Sequence, residues 1–382
     1  MRKIALLVVL SCVSMATYAV KIVNGPYLQA LTDRSVTIVW TTDTDALSWV
    51  EIAPNDKSHF YAVSRPQYFE THIGRKIMGK VHKVTIDNLE SGTTYRYRIY
   101  SREVLENNKG KILYGHVAAT DVFRKKPLLF TTLDAGKASV SCLILNDQHG
   151  NSDLARQLAN EFDKSTIGML FYNGDMASSS ATSQQVFEDF VNISVNAFAK
   201  ETPFYMVRGN VESQGALGRE YMQYFPTSTG KPYYIVRQGP VCFIVLDSGV
   251  SAEDSVGDTD FDAYRREQAY WLAEVLKSEA VTTAAFRVVM MHTPAVPSVG
   301  HSATQVHELF VPLLNEAKVC LMVSGNLHKL AMQQSGVGGA NFPILVNSDK
   351  NIIRLSADGK TLNIVIKDVQ GNEVNKFAIL AQ

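Results

Sequence analysis

At 382 residues the chain is too long for one compact unit at roughly 100 to 200 residues per domain, so two or three domains are expected. Hydrophobic residues at 46% and charged residues at 19% are ordinary globular usage, which excludes disorder, a collagen-like repeat and a coiled coil. Thirty-seven basic residues balance 37 acidic ones with no long Lys/Arg run, so neither nucleic acid nor an anionic membrane is expected as a partner.

Arg2 and Lys3, the apolar run Ile4 to Leu10 and the stretch Thr17-Tyr18-Ala19 read together as a signal peptide over residues 1–19. The mature chain is then expected to start at Val20 and to be exported, periplasmic or secreted. No later run reaches the ~20 apolar residues of a bilayer span, so no transmembrane segment is expected. Cys12, after Val9-Leu10-Ser11, is an alternative lipid-attachment site, although Leu10 fits that pattern poorly. Cys142, Cys242 and Cys320 each sit inside a strand-like apolar run, and their odd number favours buried free thiols over a disulfide framework.

Over residues 20–133 short alternating runs follow one another (SVTIVW, SWVEIA, HKVTI, TYRYRIY, PLLFTT), separated by turn residues. This is the pattern of an all-β sandwich of immunoglobulin or fibronectin III-like type. Trp40 ends an early strand and Tyr95 follows a turn at Glu90-Ser91-Gly92, where a tyrosine corner would sit; either residue could equally be a plain core aromatic.

From residue 134 to 382 the period changes to strands alternating with helix-length stretches, which predicts an α/β domain with a mixed sheet flanked by helices. Strands are expected at Val140 to Leu145, Gly168 to Tyr172, Phe204 to Arg208, Val241 to Leu246, Phe286 to Met291 and Val319 to Val323. Helices are expected from Ser152 (with Leu154, Leu158 and Phe162 on one face), from Gln184 to Lys200, from Phe261 to Leu276 and from Gln305 to Ala317. The tail returns to β, with Ala357-Asp358-Gly359-Lys360 as a hairpin turn.

Polar residues follow five of these strands directly: Asn146-Asp147-Gln148-His149, Gly174-Asp175, Gly209-Asn210, His292 and Gly325-Asn326-Leu327-His328. In an α/β sheet the crevice beyond the carboxyl ends of the strands is the ligand site, so these groups are expected to converge. Carboxylate, imidazole and amide oxygen together suit divalent ions such as Mn, Fe or Zn. Each motif alone is an ordinary loop or turn; their ordered succession is the signal. His301 and His307 could enter the site from a loop. Arg208 and Arg219 could clamp phosphate, although solvated or paired arginines are commoner. Gly336-Val337-Gly338-Gly339 lacks a following Lys-Ser/Thr and is a turn, and no Gly-x-Ser-x-Gly elbow supplies a serine nucleophile.

The ordered set resembles the calcineurin-like metallophosphoesterases, whose pattern runs Asp-x-His, Gly-Asp, Gly-Asn-His-Glu/Asp, His and Gly-His-x-His. The segments GPYLQALTDRSVTIVW and NLESGTTYRYRIY are similar to the fibronectin III-like domain that precedes the catalytic domain of purple acid phosphatases. The resemblance implies a four-layer-type mixed sheet sandwich that hydrolyses small phosphate esters by attack of a hydroxide held on two metal ions. Asp147 and His149 would bind the first ion with His328, Asp175 would bridge, and Asn210 with His292 would bind the second, which makes Asp175, Asn210 and His292 the residues nearest the chemistry.

Two positions depart from the family pattern. Val211 replaces the His that protonates the leaving group or contacts the phosphate, and Asn326 replaces an imidazole of the second ion, so one tight and one weak ion are expected. Ser178 stands where purple acid phosphatases have a ligand tyrosine, so no tyrosinate colour is expected. The rival expectation is an impaired pseudoenzyme that keeps metal or phosphate binding and serves as a binding or scaffold protein.

Overall fold

The computed structural model describes residues 19–159, 163, 165–178, 182–250 and 259–381. The expected signal peptide up to Tyr18, Cys12 and Phe162 lie outside these residues. The N-terminal domain is entirely β. Its organising strand is Val36–Pro54, which pairs with Ile22–Gln29 and Met78–Ile86 along its first part and with Thr94–Asn108 along Ala46–Pro54. A register shift between Thr41 and Ala46 bends it, so the two expected runs SVTIVW and SWVEIA are one continuous strand. Trp40 is fully buried and donates from Nε1 to Ser101 Oγ at 2.8 Å. The Glu90 N–H donates to Tyr95 Oη at 3.0 Å, the bond that closes a tyrosine corner.

The remainder is built on two six-stranded mixed sheets. The first runs Phe204–Val207, Met169–Asn173, Ser139–Leu145, Asn351–Asp358, Thr361–Asp368, Glu373–Leu380, with the first three strands parallel. The second runs Tyr234–Gln238, Val241–Val245, Phe286–Met290, Leu321–Ser324, Ile344–Val346, Ala331–Gln333, with four parallel strands at its centre. Alternation along the strands decides the layers. Cys142, Ile144 and Phe171 face Phe243, Val288 and Val323 between the sheets. Leu143, Leu170 and Tyr172 instead meet Phe187, Phe190 and Phe198 of the helical stretch outside the first sheet. Ile244 and Val289 likewise meet Leu272 and Phe310 outside the second, giving helix, sheet, sheet and helix.

The β domain packs on the first sheet's edge strand. Gln29 Nε2 donates to Phe204 O at 3.0 Å, and Tyr205 Oη donates to Leu31 O at 2.9 Å, so an otherwise open edge is covered. Tyr27 and Tyr97 donate to Tyr224 O and Lys200 O at 2.8 and 2.6 Å. Cys142, Cys242 and Cys320 are free and buried. No helix among the described residues is long and apolar enough to cross a membrane.

Several elements differ from expectation. The helix expected from Gln184 contains two π turns, Phe187–Val191 and Val195–Ala199. The helix expected from Gln305 begins at His301, because Ser302 and Ala303 are also buried on its inner face. The helix Gly215–Tyr224 and the strand Tyr234–Gln238 were not expected. In the helix Leu217, Tyr221 and Tyr224 bury one face.

Candidate metal centre

All the candidate ligands leave the carboxyl ends of parallel strands. Past those ends the loops continue to pair: Asp147 N–H donates to Gly174 O, His149 N–H to Asp175 O, and Gly325 N–H to His292 O, each at 2.9 Å. Asp147, His149, Asp175, Asn326 and His328 all take left-handed backbone conformations, with φ between 47° and 67°. For a non-glycine residue this costs about 1–3 kcal/mol. Five such residues in one place mark a site whose side-chain directions matter more than local backbone energy. The glycines before Asp175, Asn210 and Asn326 answer a spatial need. A Cβ on Gly174 would strike the His292 ring, one on Gly209 the Asp175 carboxylate, and one on Gly325 the Asp147 carboxylate.

Asp147 is 3% exposed, and its two oxygens are used differently. Oδ2 accepts from Asn146 Nδ2 at 2.6 Å and from the Asn326 N–H at 2.9 Å. Oδ1 has no hydrogen-bond partner among the described residues and lies 3.6, 3.8 and 3.9 Å from Nε2 of His328, His292 and His149. Asp175 repeats the division. Its Oδ1 accepts the Val211 N–H at 2.9 Å, and its Oδ2 faces His292 Nε2 at 3.3 Å and His149 Nε2 at 4.0 Å. His292 donates from Nδ1 to Asn173 O at 2.8 Å, which fixes the ring and turns buried Nε2 to the carboxylates. The His149 and His328 rings stack at 4.9 Å, with their Nε2 atoms 3.3 Å apart.

Two groups result in which the ligand atoms lie within 4.8 Å of one another: Asp147 with His149 and His328, and Asp147 with Asp175 and His292. Asn210 Oδ1 is buried and has no hydrogen-bond partner among the described residues. Asn326 contributes its backbone N–H to Asp147. The structure therefore brings Asp147 to the His292 group as well, whereas the resemblance assigns it to the first ion alone. Among the described residues Asp147 Oδ1, Asn210 Oδ1 and His292 Nε2 have no hydrogen-bond partner; two oxygens and an imidazole that would give up its proton to a bound ion form a set that fits divalent cations. Burial opposes charge on His292, but the contact with Asp175 and the charges of Asp175 and Asp147 outweigh it and push the imidazole up to about 9. Burial would raise Asp175, yet the His292 ring and the Val211 N–H hold it below the usual carboxylate range.

Sequence reasoning missed Glu212. It is 1% exposed, and its carboxylate accepts the N–H groups of Asp175 (2.9 Å), Met176 (2.7 Å), Ala177 (3.1 Å) and Gly209 (3.0 Å). It ties the Asp175 loop to the Asn210 loop, and burial followed by the nearby Asp175 charge raises its pKa. The signal was present as the last residue of Gly209-Asn210-Val211-Glu212. Asn347 was also missed; its Nδ2 donates to Asn146 Oδ1 at 2.7 Å and so orients the amide that holds Asp147.

The other candidates go elsewhere. Arg208 is buried against Asp247, with Nε to Oδ2 at 2.9 Å. His301 Nε2 pairs with Asp262 Oδ1 at 3.0 Å, and His307 pairs with Gly338 O. Arg219 lies on the helix Gly215–Tyr224. Val211, 9% exposed, brings only an apolar side chain to the position after Asn210.

Residues 140–348, more than half of the chain, match the calcineurin-like phosphoesterase superfamily domain. The chain belongs to that superfamily, and membership implies metal-dependent hydrolysis of phosphate esters. Residues 26–111 match the purple acid phosphatase N-terminal domain. A purple acid phosphatase from yellow lupin (Lupinus luteus) seeds shares the fold at TM-score 0.67 and 14% identity, over 95% of this chain and 74% of that one. GAP50, the anchor in the inner membrane complex of Plasmodium, aligns at TM-score 0.49 and 12% identity over 64% of this chain and 90% of its own. No curated protein matches the chain in sequence.

Proposed function

We propose that the mature chain is an exported phosphoesterase acting on small phosphate esters, with one tightly and one weakly held divalent ion of the Mn, Fe or Zn type. The charged and then apolar start of the sequence supports export. The observation that carries the catalytic reading is the convergence of Asp147, Asp175 and His292 with Asp147, His149 and His328, the ligand atoms of each group lying within 4.8 Å of one another. Asp147, His149, His328 and Asp175 would hold the tight ion. Asp175, Asn210, His292 and Asn326 would hold the weak one, because an amide at Asn326 is a poorer donor than an imidazole. Bound there, the ions would neutralise phosphate oxygens and polarise the attacking water. The protein's own residues orient this set: Asn173 fixes His292, Asn146 fixes Asp147, and the Val211 N–H fixes Asp175.

After dialysis about one ion per chain should remain, with the second recovered only in excess metal. His328→Ala should lose the retained ion and Asn326→Ala should keep it, read by elemental analysis; two equally retained ions would overturn the assignment.

Val211 cannot protonate a leaving group. General acid catalysis is worth about 10² to 10⁴ in rate, so turnover should favour aryl esters, whose leaving anion is stable, over alkyl esters. Val211→His should therefore raise kcat/KM for an alkyl phosphate more than for an aryl phosphate, and equal gains on both would contradict this role. Val211 and Asn326 also favour a second reading, a pseudoenzyme that binds metal or phosphate without turnover. Activity that appears only in a Val211→His, Asn326→His double variant would support it.

A further inference from the structure

We infer that the buried pair Arg208–Asp247 positions Asn210 against His292 and so sets how well the weaker ion is held; this rests on the two-ion reading above. Arg208 follows the strand Phe204–Val207 of the first sheet and immediately precedes Gly209 and Asn210. Asp247 leaves the strand Val241–Val245 of the second sheet. Arg208 donates from Nε at 2.9 Å and from Nη2 to the same Asp247 Oδ2, which also accepts from Tyr264 Oη at 2.6 Å. Asp247 Oδ1 accepts the Gly249 N–H at 2.9 Å. Arg208 is 8% exposed, Asp247 is fully buried, and the Tyr221, Phe261 and Tyr264 rings surround the guanidinium at 5.6 to 5.8 Å.

The connection continues to the other ligand. Ser248, next to Asp247, donates from Oγ to Thr293 Oγ1 at 3.1 Å, and Thr293 adjoins His292. Asn210 and His292 come from different sheets, and Arg208, Asp247, Ser248 and Thr293 form an unbroken path between them. Asn210 Oδ1 has no hydrogen-bond partner among the described residues, so its placement depends on the backbone that Arg208 anchors. A buried ion pair adds little net stability over apolar residues of similar size. What it does supply is a narrow geometry, since two donors of one planar guanidinium meet on a single carboxylate oxygen that Tyr264 also holds. Arg208 and Asp247 are thus positioning residues, and the guanidinium is not available as a phosphate clamp.

The test is calorimetric titration of Mn²⁺ into chelator-stripped full-length protein, together with thermal unfolding. It compares wild type, Arg208→Met/Asp247→Leu, Arg208→Lys and Tyr264→Phe. The double variant leaves net charge unchanged, so the general attraction for cations is preserved. It should unfold near the wild-type temperature and keep the tight event, while the Kd of the weak event rises at least about tenfold, the scale of outer-shell effects on metal affinity. Arg208→Lys and Tyr264→Phe should weaken the same event by smaller factors, and they carry the comparison if the double variant does not fold. An unchanged weak event, or equal weakening of both, would overturn the inference. A single event in wild type would count against the two-ion reading instead. The crystal structure of the metal-free double variant then decides: a shift of Asn210 relative to His292 of more than about 1 Å supports positioning, and no shift refutes it.

Discussion

Asp175→Asn is expected to lower phosphoesterase kcat by at least about a thousandfold, or roughly 4 kcal/mol of barrier, and to cost the protein one ion. The amide keeps the shape and can still accept the Val211 N–H that Asp175 Oδ1 takes at 2.9 Å. What it removes is the negative charge on Oδ2, which faces His292 Nε2 at 3.3 Å and His149 Nε2 at 4.0 Å and so, with Asp147, stands between the two sets of imidazoles. Because the side chain is nearly isosteric, circular dichroism should be unchanged, which separates loss of chemistry from loss of fold. Turnover and ion content both within a few-fold of wild type would contradict a bridging role for this residue.

The second large effect is on stability. Glu212→Ala leaves four buried N–H groups, those of Asp175, Met176, Ala177 and Gly209, without an acceptor. Each costs about 1–3 kcal/mol when stranded, and even with water entering the hole the total should reach about 4 kcal/mol. Domain stabilities are only about 5–15 kcal/mol, so the variant should be marginal or unfolded at room temperature. Glu212→Gln keeps one acceptor oxygen and should lose roughly half as much. Urea denaturation of the three proteins measures this. A Glu212→Ala loss under about 1 kcal/mol would mean that the two ligand loops are held some other way.

The candidate ligands were legible because each follows a strand-like run, and the sheet topology brings the ends of parallel strands together whatever their distance in sequence. Their convergence follows on that ground; the pairing of Asp147 with His328 came from the resemblance. The residues that hold the candidate ligands in place were not legible. Asn347 lies 201 residues from Asn146, and nothing in either local sequence announces their contact. Glu212 differs: it stood in the motif, but a carboxylate next to Val211 reads as another ligand or a solvated charge until its four N–H partners are seen. The two π turns after Val186 had no signature in an apolar pattern that suits an ordinary helix, and the bend in Val36–Pro54 looked like a gap between two strands. The order of strands in the sheets depends on long-range pairing, which periodicity does not encode.

The measurement that bears most directly on the central claim is kcat/KM for an aryl phosphate with the protein as purified, after chelation, and after reloading with Mn, Fe or Zn, with bound metal counted in the same samples. Turnover should vanish on chelation and return with at least one of these ions as occupancy rises above one per chain. Turnover that survives complete removal of metal, or none at two ions per chain with any of the three, would contradict a metal-dependent phosphoesterase built on Asp147, His149, Asp175, Asn210, His292 and His328.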